Sequence, residues 1–286
     1  VRLPELPASA LRRVVEAALA EDLGAEGDVT TDAVVPPGSR TRGRIVARQD
    51  LVAAGLPVAA EVFRQLDPQV LFAPRVAEGT QVGAGTSLAE LNGPAAPILR
   101  GERTALNFLM RLCGIATATR ACVEELAGTD AIVLDTRKTA PGLRLLDKYA
   151  VAAGGGTNHR RGLYDAVMIK DTHLAAAGGI GDAVAAALSR GHPAERITVE
   201  VTSPAELEEA IAAGAGRALL DNMDLAQLRQ CVQRAAGRIV LEASGGLRPG
   251  SLRAVAETGV HALSVGALTH SVPAADLALE LDPAAP

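Results

Sequence analysis

The second half of the chain carries six short apolar runs, at residues 131–134, 166–169, 197–199, 218–220, 239–241 and 262–265. Amphipathic stretches with helical spacing separate them, for example at 204–213, 224–235 and 249–258. A repeat of roughly 20–30 residues predicts βα units and a parallel sheet, closed into a barrel. Six strands are fewer than the eight of a regular (β/α)₈ barrel, so an incomplete or irregular barrel is expected.

The first half has a different pattern. Ser9 is placed to cap a helix running to Glu21, with Leu11, Val14, Val15, Ala18 and Leu19 on one face. Residues 24–37 read as a loop containing Asp28-Val29-Thr30-Thr31. From 42 to 91 the pattern predicts short strands, among them 44–48 and 70–72, and a hairpin over 76–82 followed by Gly83 and Gly85. That hairpin is similar to those of lipoyl and biotinyl carriers but lacks their modifiable lysine, so a carrier role is not expected. Residues 101–127 predict a long helix with Leu106, Leu109, Cys113 and Ala116 as its apolar stripe, bridging into the second domain.

With 286 residues, 48% of them hydrophobic, the chain is long enough for a sizeable core and two domains. Aromatic residues are 2% and Trp is absent, so the core must be aliphatic and base-stacking platforms are not expected. Cys113, Cys122 and Cys231 have no metal-type spacing and form an odd set, which reads as buried free thiols in a reducing compartment. No apolar run approaches the ~20 residues of a membrane span. Residues 1–9 contain two prolines and no signal-type apolar core. The expectation is a cytoplasmic protein with neither a membrane nor a nucleic-acid partner.

Charge changes the picture locally. The net charge is −5, yet Arg137, Lys138, His159, Arg160, Arg161 and Lys170 fall within one short stretch. Clustered cations on an acidic chain suit a small polyanion better than a nucleic acid. Arg offers paired donors to carboxylate or phosphate, and Lys a point charge. The apolar runs end near Asp135, Lys170, Glu200, Asp221, Glu242 and Gly266, and the C-terminal strand ends hold the active site in βα barrels. Ser244-Gly245-Gly246 and Gly266-Ala267, with His270 close behind, follow the last two runs, where glycine turns let backbone amides approach a phosphate. Glu200 and Asp221 suit ribose hydroxyls or a Mg²⁺ that keeps several waters. A salt bridge from either to Lys138 or Lys170 is the plainer reading and is compatible with both. His192, beside Pro193, reads as a surface-loop residue.

Taken in order, Asp28-Val29-Thr30-Thr31, Glu102-Arg103-Thr104, Asp135-Thr136-Arg137-Lys138-Thr139, Asn158-His159-Arg160, Ile169-Lys170-Asp171, Val199-Glu200-Val201, Leu220-Asp221-Asn222, Ser244-Gly245-Gly246 and Val265-Gly266-Ala267 resemble the quinolinate phosphoribosyltransferases, type II phosphoribosyltransferases. The resemblance covers nearly the whole chain. It implies an α/β fold: an N-terminal α/β sandwich over residues 1–115, with the tail 271–286 packing back on it, and an irregular seven-stranded α/β barrel over 116–270. It implies transfer of phosphoribose from phosphoribosyl pyrophosphate to quinolinate with loss of CO₂, giving nicotinate mononucleotide for NAD biosynthesis. It also implies Mg²⁺ and a homodimer with a site shared between subunits; assembly of dimers into hexamers is left open.

By the same resemblance, Arg103 (from the partner), Arg137, Thr139, His159, Arg160 and Lys170 bind quinolinate. Lys138, Glu200 and Asp221 are the catalytic set. Lys138, Lys170, Glu200, Asp221, Ser244, Gly245, Gly246, Gly266, Ala267 and His270 bind phosphoribosyl pyrophosphate, and Glu200 and Asp221 bind the metal, directly or through water. Thr172 stands where the family usually has Asn, and Arg161 where it usually has an uncharged residue; neither is given a role. A related enzyme acting on nicotinic acid needs to hold one carboxylate, and the number of cations favours two. A paralogue of the same fold is associated with molybdenum transport. A non-catalytic metabolite-binding protein is expected to lack Lys138, Glu200 or Asp221, and all three are present.

Overall fold

The computed structural model describes residues 3–282. In chain order its helices and strands are α1 (Ala8–Leu23), α2 (Val29–Val34), β1 (Arg40–Ala47), β2 (Leu51–Val52), α3 (Leu56–Leu66), β3 (Leu71–Pro74), β4 (Gln81–Val82), β5 (Ser87–Pro94) and α4 (Ala95–Glu125). There follow β6 (Ile132–Leu134), α5 (Arg144–Ala153), β7 (Val167–Ile169), α6 (Asp171–Ala177), α7 (Ile180–Ser189), β8 (Ile197–Val201), α8 (Pro204–Ala212) and β9 (Arg217–Asp221). The last are α9 (Leu225–Ala235), β10 (Val240–Ser244), α10 (Leu252–Ala256), β11 (Ala262–Ser264), α11 (Ala267–His270) and β12 (Leu277–Leu281). They form two compact units, the first made of the chain up to Arg120, Ala140–Gly155 and the part from Val272 onward, the second of Ala121–Thr139 and Gly156–Ser271.

The first unit is built on an antiparallel sheet of order β12-β1-β5-β3, with a separate β2-β4 pair. Residues 283–286 of the expected C-terminal tail, and Val1 and Arg2 at the start, lie outside the described residues. The core is aliphatic, as the composition requires: Ile45, Leu88, Leu91, Ile98, Leu106, Leu109 and Leu112 are fully buried, each stabilising by about 1.5–3 kcal/mol. Phe63 joins them and stacks on Phe72.

Four local expectations are corrected here. Ser9 lies inside α1, whose N-cap is Pro7 without a side-chain bond. The expected loop at 24–37 contains α2, because Asp28 caps it by accepting the Thr31 amide at 3.0 Å. The strand-only reading of 42–91 misses α3, which starts with Pro57 in its first turn, where no amide is needed. The expected hairpin at 76–82 does not form, since β4 pairs with the distant β2.

In the second unit β6-β11-β10-β9-β8-β7 make one sheet, every pair parallel. These are the six apolar runs of the sequence. A single parallel bridge from Leu134 to Thr157 adds the trace of a seventh strand beside β6. Thr157 sits in no apolar run, which is why hydropathy did not reveal it. Side chains of paired residues share a face, and the ladders align Glu200 with Leu219, Leu219 with Glu242, and Ser244 with Asp221. Val201, Leu220, Ala243 and Leu263 take the opposite, helix-covered face and are buried.

Candidate active site

That shared face opens into a cavity of about 540 Å³ within the second unit. Arg137, Lys138, Arg160 and Lys170 supply cations to its lining, and Glu200, Asp221 and Glu242 supply carboxylates. Ser244, Gly245 and Gly246 close one side. A larger cavity of about 780 Å³ lies along β7, α6 and α7, lined largely by alanines and other apolar groups; Arg160, Arg190 and Arg196 reach it with a single carboxylate, Asp165, and it has no glycine turn like the one at 244–246.

Each charged group has an identifiable support. The Asp135 carboxylate, fully buried just beyond β6, accepts the Asn158 side-chain amide at 2.7 Å and the His159 backbone amide at 2.8 Å. It thereby anchors the strand-like segment that carries the next two cations. The His159 ring accepts the Arg160 amide on Nδ1 at 2.6 Å and faces Glu242 across 3.3 Å from Nε2. Arg160 donates to the Ala166 carbonyl at 3.2 Å. Burial and then the Arg137 guanidinium press the Arg160 pKa down, with Asp165 opposing them. Two arginines that repel each other in one cavity favour an anion with more than one charge.

Lys170 donates to Glu200 at 2.5 Å, the ion pair that the sequence left open. Asp221 accepts the Asn222 side-chain amide at 2.7 Å. Glu200 and Asp221 present hard oxygen donors on adjacent strands, which fits Mg²⁺, an ion commonly held by one or two carboxylates plus substrate phosphates. Among the described residues no cluster of three or more His, Cys, Asp or Glu could cage a metal alone.

The turn after β10 depends on Gly245. Its φ is +104°, and a Cβ there would lie 2.2 Å from the Asn222 side-chain oxygen. Asn222 is itself left-handed, at φ 54°, and donates its amide to the Ser244 carbonyl at 2.9 Å. Gly266 does related work on the other side: a Cβ there would come within 3.2 Å of both Lys138 and His270. The Lys138 carbonyl accepts the Thr269 hydroxyl at 2.8 Å.

The cavity therefore gathers Arg137, Lys138, His159, Arg160, Lys170, Glu200, Asp221, Ser244, Gly245 and Gly246. Gly266, Ala267 and His270 lie at α11, beside Lys138 rather than in the cavity lining. Thr139 follows Lys138 and also lies outside the lining. Arg103 is exposed on α4 in the first unit. Sequence reasoning assigned no role to Asp135, Asn222, Glu242 or Ser264. Asn222 was legible as an Asn directly after a strand-ending Asp, a residue tolerant of positive φ. Glu242 was read as a strand end but sits in mid-strand, fully buried.

Known proteins agree with this architecture. Residues 28–113 match the family model "Quinolinate phosphoribosyl transferase, N-terminal domain", and 115–280 match the corresponding C-terminal domain. A probable nicotinate-nucleotide pyrophosphorylase (carboxylating) of Bacillus subtilis is 42% identical over 271 residues, 95% of this chain and 93% of that protein. A mitochondrial quinolinate phosphoribosyltransferase (decarboxylating) of Nicotiana tabacum is 38% identical over 99% of this chain and 85% of its own length. The structure of the nicotinate-nucleotide pyrophosphorylase from Francisella tularensis superposes with a TM-score of 0.92 at 39% identity, covering 97% of this chain and 98% of that one. With both domain models matched in order along a chain that folds around this charged cavity, the protein belongs to the quinolinate phosphoribosyl transferase family.

Proposed function

We propose that this chain transfers the phosphoribosyl group of phosphoribosyl pyrophosphate to quinolinate and releases CO₂, forming nicotinate mononucleotide and pyrophosphate in NAD biosynthesis. The observation that carries the reading is the half-buried pair Arg137 and Arg160, held together in a cavity that also contains Lys170 and two strand-end carboxylates. Quinolinate has two carboxylates on neighbouring ring carbons, and several fixed cations match them.

The chemistry then follows from charge placement. The pyridine nitrogen attacks the ribose anomeric carbon as its bond to pyrophosphate oxygen breaks. Glu200 and Asp221 stabilise positive charge developing on the ribose and hold its hydroxyls. Lys138 offsets the charge of departing pyrophosphate. Ser244, Gly245 and Gly246 receive the 5′-phosphate, with Gly266, Ala267 and His270 beside Lys138 contributing to phosphate binding. Once ribosylated, the ring nitrogen is cationic and accepts the electron pair left when the adjacent carboxylate departs as CO₂; a proton then replaces it on carbon. No covalent nucleophile is required, so positioning and electrostatics supply the rate. Mg²⁺, held by Glu200 and Asp221 directly or through water, supplies charge neutralisation to the pyrophosphate when bound.

Arg103, exposed on α4, suits a role in the quinolinate clamp of a second copy, which makes the working form a homodimer. Arg103→Ala and Lys138→Ala, each inactive alone, then regain partial activity when mixed. Failure to complement, with subunit exchange demonstrated, sinks the shared site. A cytoplasmic location is part of this reading, in keeping with Cys113, Cys122 and Cys231, which are unbonded and buried as thiols are in a reducing compartment.

The test is purified protein with Mg²⁺ and phosphoribosyl pyrophosphate, following quinolinate loss and CO₂ release, with nicotinic acid in parallel. Turnover of quinolinate alone is expected. Turnover of nicotinic acid alone would overturn the dicarboxylate reading while keeping the phosphate site.

A further inference from the structure

We propose that Glu242 is a positioning residue for the quinolinate clamp, acting through the His159 ring on Arg160. The inference rests on the transferase reading above and adds to it a fully buried residue deep in the sheet that acts through another side chain.

Glu242 is fully buried in the middle of β10, on the face that lines the cavity. Regular barrels fill this layer with branched apolar side chains. A carboxylate there is costly unless it is paired, because it loses its hydration. Glu242 has three partners from three other elements. Ser264, on β11, donates its hydroxyl to Oε1. His159 places Nε2 at 3.3 Å from Oε2, and Arg217, at the start of β9, places Nη2 at 3.9 Å. Burial alone pushes the Glu242 carboxyl up. The His159 ring, the Ser264 hydroxyl and Arg217 together outweigh it, so the group is held below the usual carboxylate range and stays ionised.

The His159 ring is the link. Its Nδ1 accepts the Arg160 backbone amide at 2.6 Å, so the ring proton must sit on Nε2, which faces Glu242. Both ring nitrogens are thus turned to protein groups. The backbone of the same residue is fixed by a second fully buried carboxylate, Asp135, which accepts the His159 amide at 2.8 Å. One carboxylate sets where His159 is, and the other sets how its ring is turned. The ring in turn fixes the Arg160 amide, immediately before the side chain that enters the cavity beside Arg137. A carboxylate kept in this layer aims a cation that its neighbour Arg137 repels.

The sharpest test is steady-state kinetics on the full protein with both substrates varied, for wild type, Glu242→Gln and Ser264→Ala. Glu242→Gln keeps the shape and removes the charge. Its KM for quinolinate should rise about tenfold, the factor expected for weakening one charged contact, while KM for phosphoribosyl pyrophosphate stays within about twofold. Ser264→Ala should move the same KM in the same direction by a smaller factor, and it decides the matter alone if Glu242→Gln does not fold. A quinolinate KM unchanged in the folded variants, or both KM values rising together, overturns the proposal. Should wild type use nicotinic acid instead, the functional reading fails, and the same split read on that substrate still decides the positioning. Independently of activity, ¹⁵N NMR of the histidines, only five in the chain, should show His159 with Nδ1 unprotonated and Nε2 protonated. A protonated Nδ1 refutes the linkage.

Discussion

Removing the guanidinium of Arg111 should be among the most damaging single changes in the first unit. Arg111, on α4, donates from Nε and Nη2 to the two oxygens of Asp147, on α5, both at 2.8 Å. Asp147 is 0% exposed at its side chain and Arg111 is 28% exposed. Arg111→Met therefore strands a carboxylate with no access to water, leaving it the Ala140 amide at 3.1 Å as a charge-neutral donor. Breaking one side of a buried pair costs about 3–5 kcal/mol. The partial exposure of Arg111 and the remaining amide place this pair near the lower figure, about 3 kcal/mol. At about 2–4 °C per kcal/mol for chains of comparable size, the melting temperature should fall by roughly 6–12 °C. Asp147→Asn alone removes one charged partner from a partly solvated arginine and should cost less, about 2 kcal/mol. The double variant leaves no orphaned charge, so its loss should fall short of the sum by about 2 kcal/mol or more. Urea unfolding of the four proteins reads this cycle directly. A loss below about 1 kcal/mol for Arg111→Met, or additivity in the double variant, would refute the reasoning.

Other outcomes follow from single residues. Arg137→Ala should weaken quinolinate binding a hundredfold or more, about 3 kcal/mol for two charge-assisted contacts, as read by calorimetry; near-native affinity would remove Arg137 from the clamp. Gly245→Ala forces a Cβ onto Asn222 at a positive φ, so KM for phosphoribosyl pyrophosphate should rise more than about tenfold, with about 1–3 kcal/mol of stability lost; an unaffected KM would separate this turn from the phosphate site. Glu78 is pushed up by burial, against the opposing hydrogen bonds of the Gly55 and Leu56 amides and of Tyr149. A carboxyl raised on folding costs stability in full above its raised value, and the cost fades as pH falls through that value toward the ordinary carboxyl range. Urea midpoints should therefore show Glu78→Gln at least as stable as wild type at pH 7, with the advantage shrinking as pH falls toward the ordinary carboxyl range; the opposite trend would show that the amides dominate.

How much of this was legible depended on whether the signal was local. The six parallel strands were, because buried parallel strands read as unbroken apolar runs. The glycine turns and the cation cluster were visible for the same reason: each is a contiguous stretch. Asp28 as a cap was present in the sequence, but the six-residue α2 behind it is too short to show helical periodicity; α3 behind Gly55 was outweighed by neighbouring strand-like residues. Other features carry no local mark. The pairing of β4 with β2, the bridge at Thr157 and the inward turn of Glu242 are set by partners tens of residues away. Glu242 is the clearest case: a charged residue next to Leu241 reads as the end of a strand, and only its cross-strand partners show that the strand runs on to Ser244.

The segment Ala140–Gly155 belongs to the first unit although the chain on both sides of it belongs to the second. It is tied there by the Arg111–Asp147 pair, by Arg120 donating to the Gly154 carbonyl at 3.0 Å, and by the fit of Gly79 against the Ala153 carbonyl, where a Cβ would lie 2.9 Å away. No single cut can therefore divide this protein into its two units, and exchanging residues 1–120 with a relative would not exchange a whole unit. A chimera joined at Arg120 would set a foreign α4 against the resident α5, mispairing Asp147. One that also carries residues 140–155 and β12 keeps each buried partner with its own, and sequence swaps within the family should follow those four junctions rather than the one that a linear map suggests.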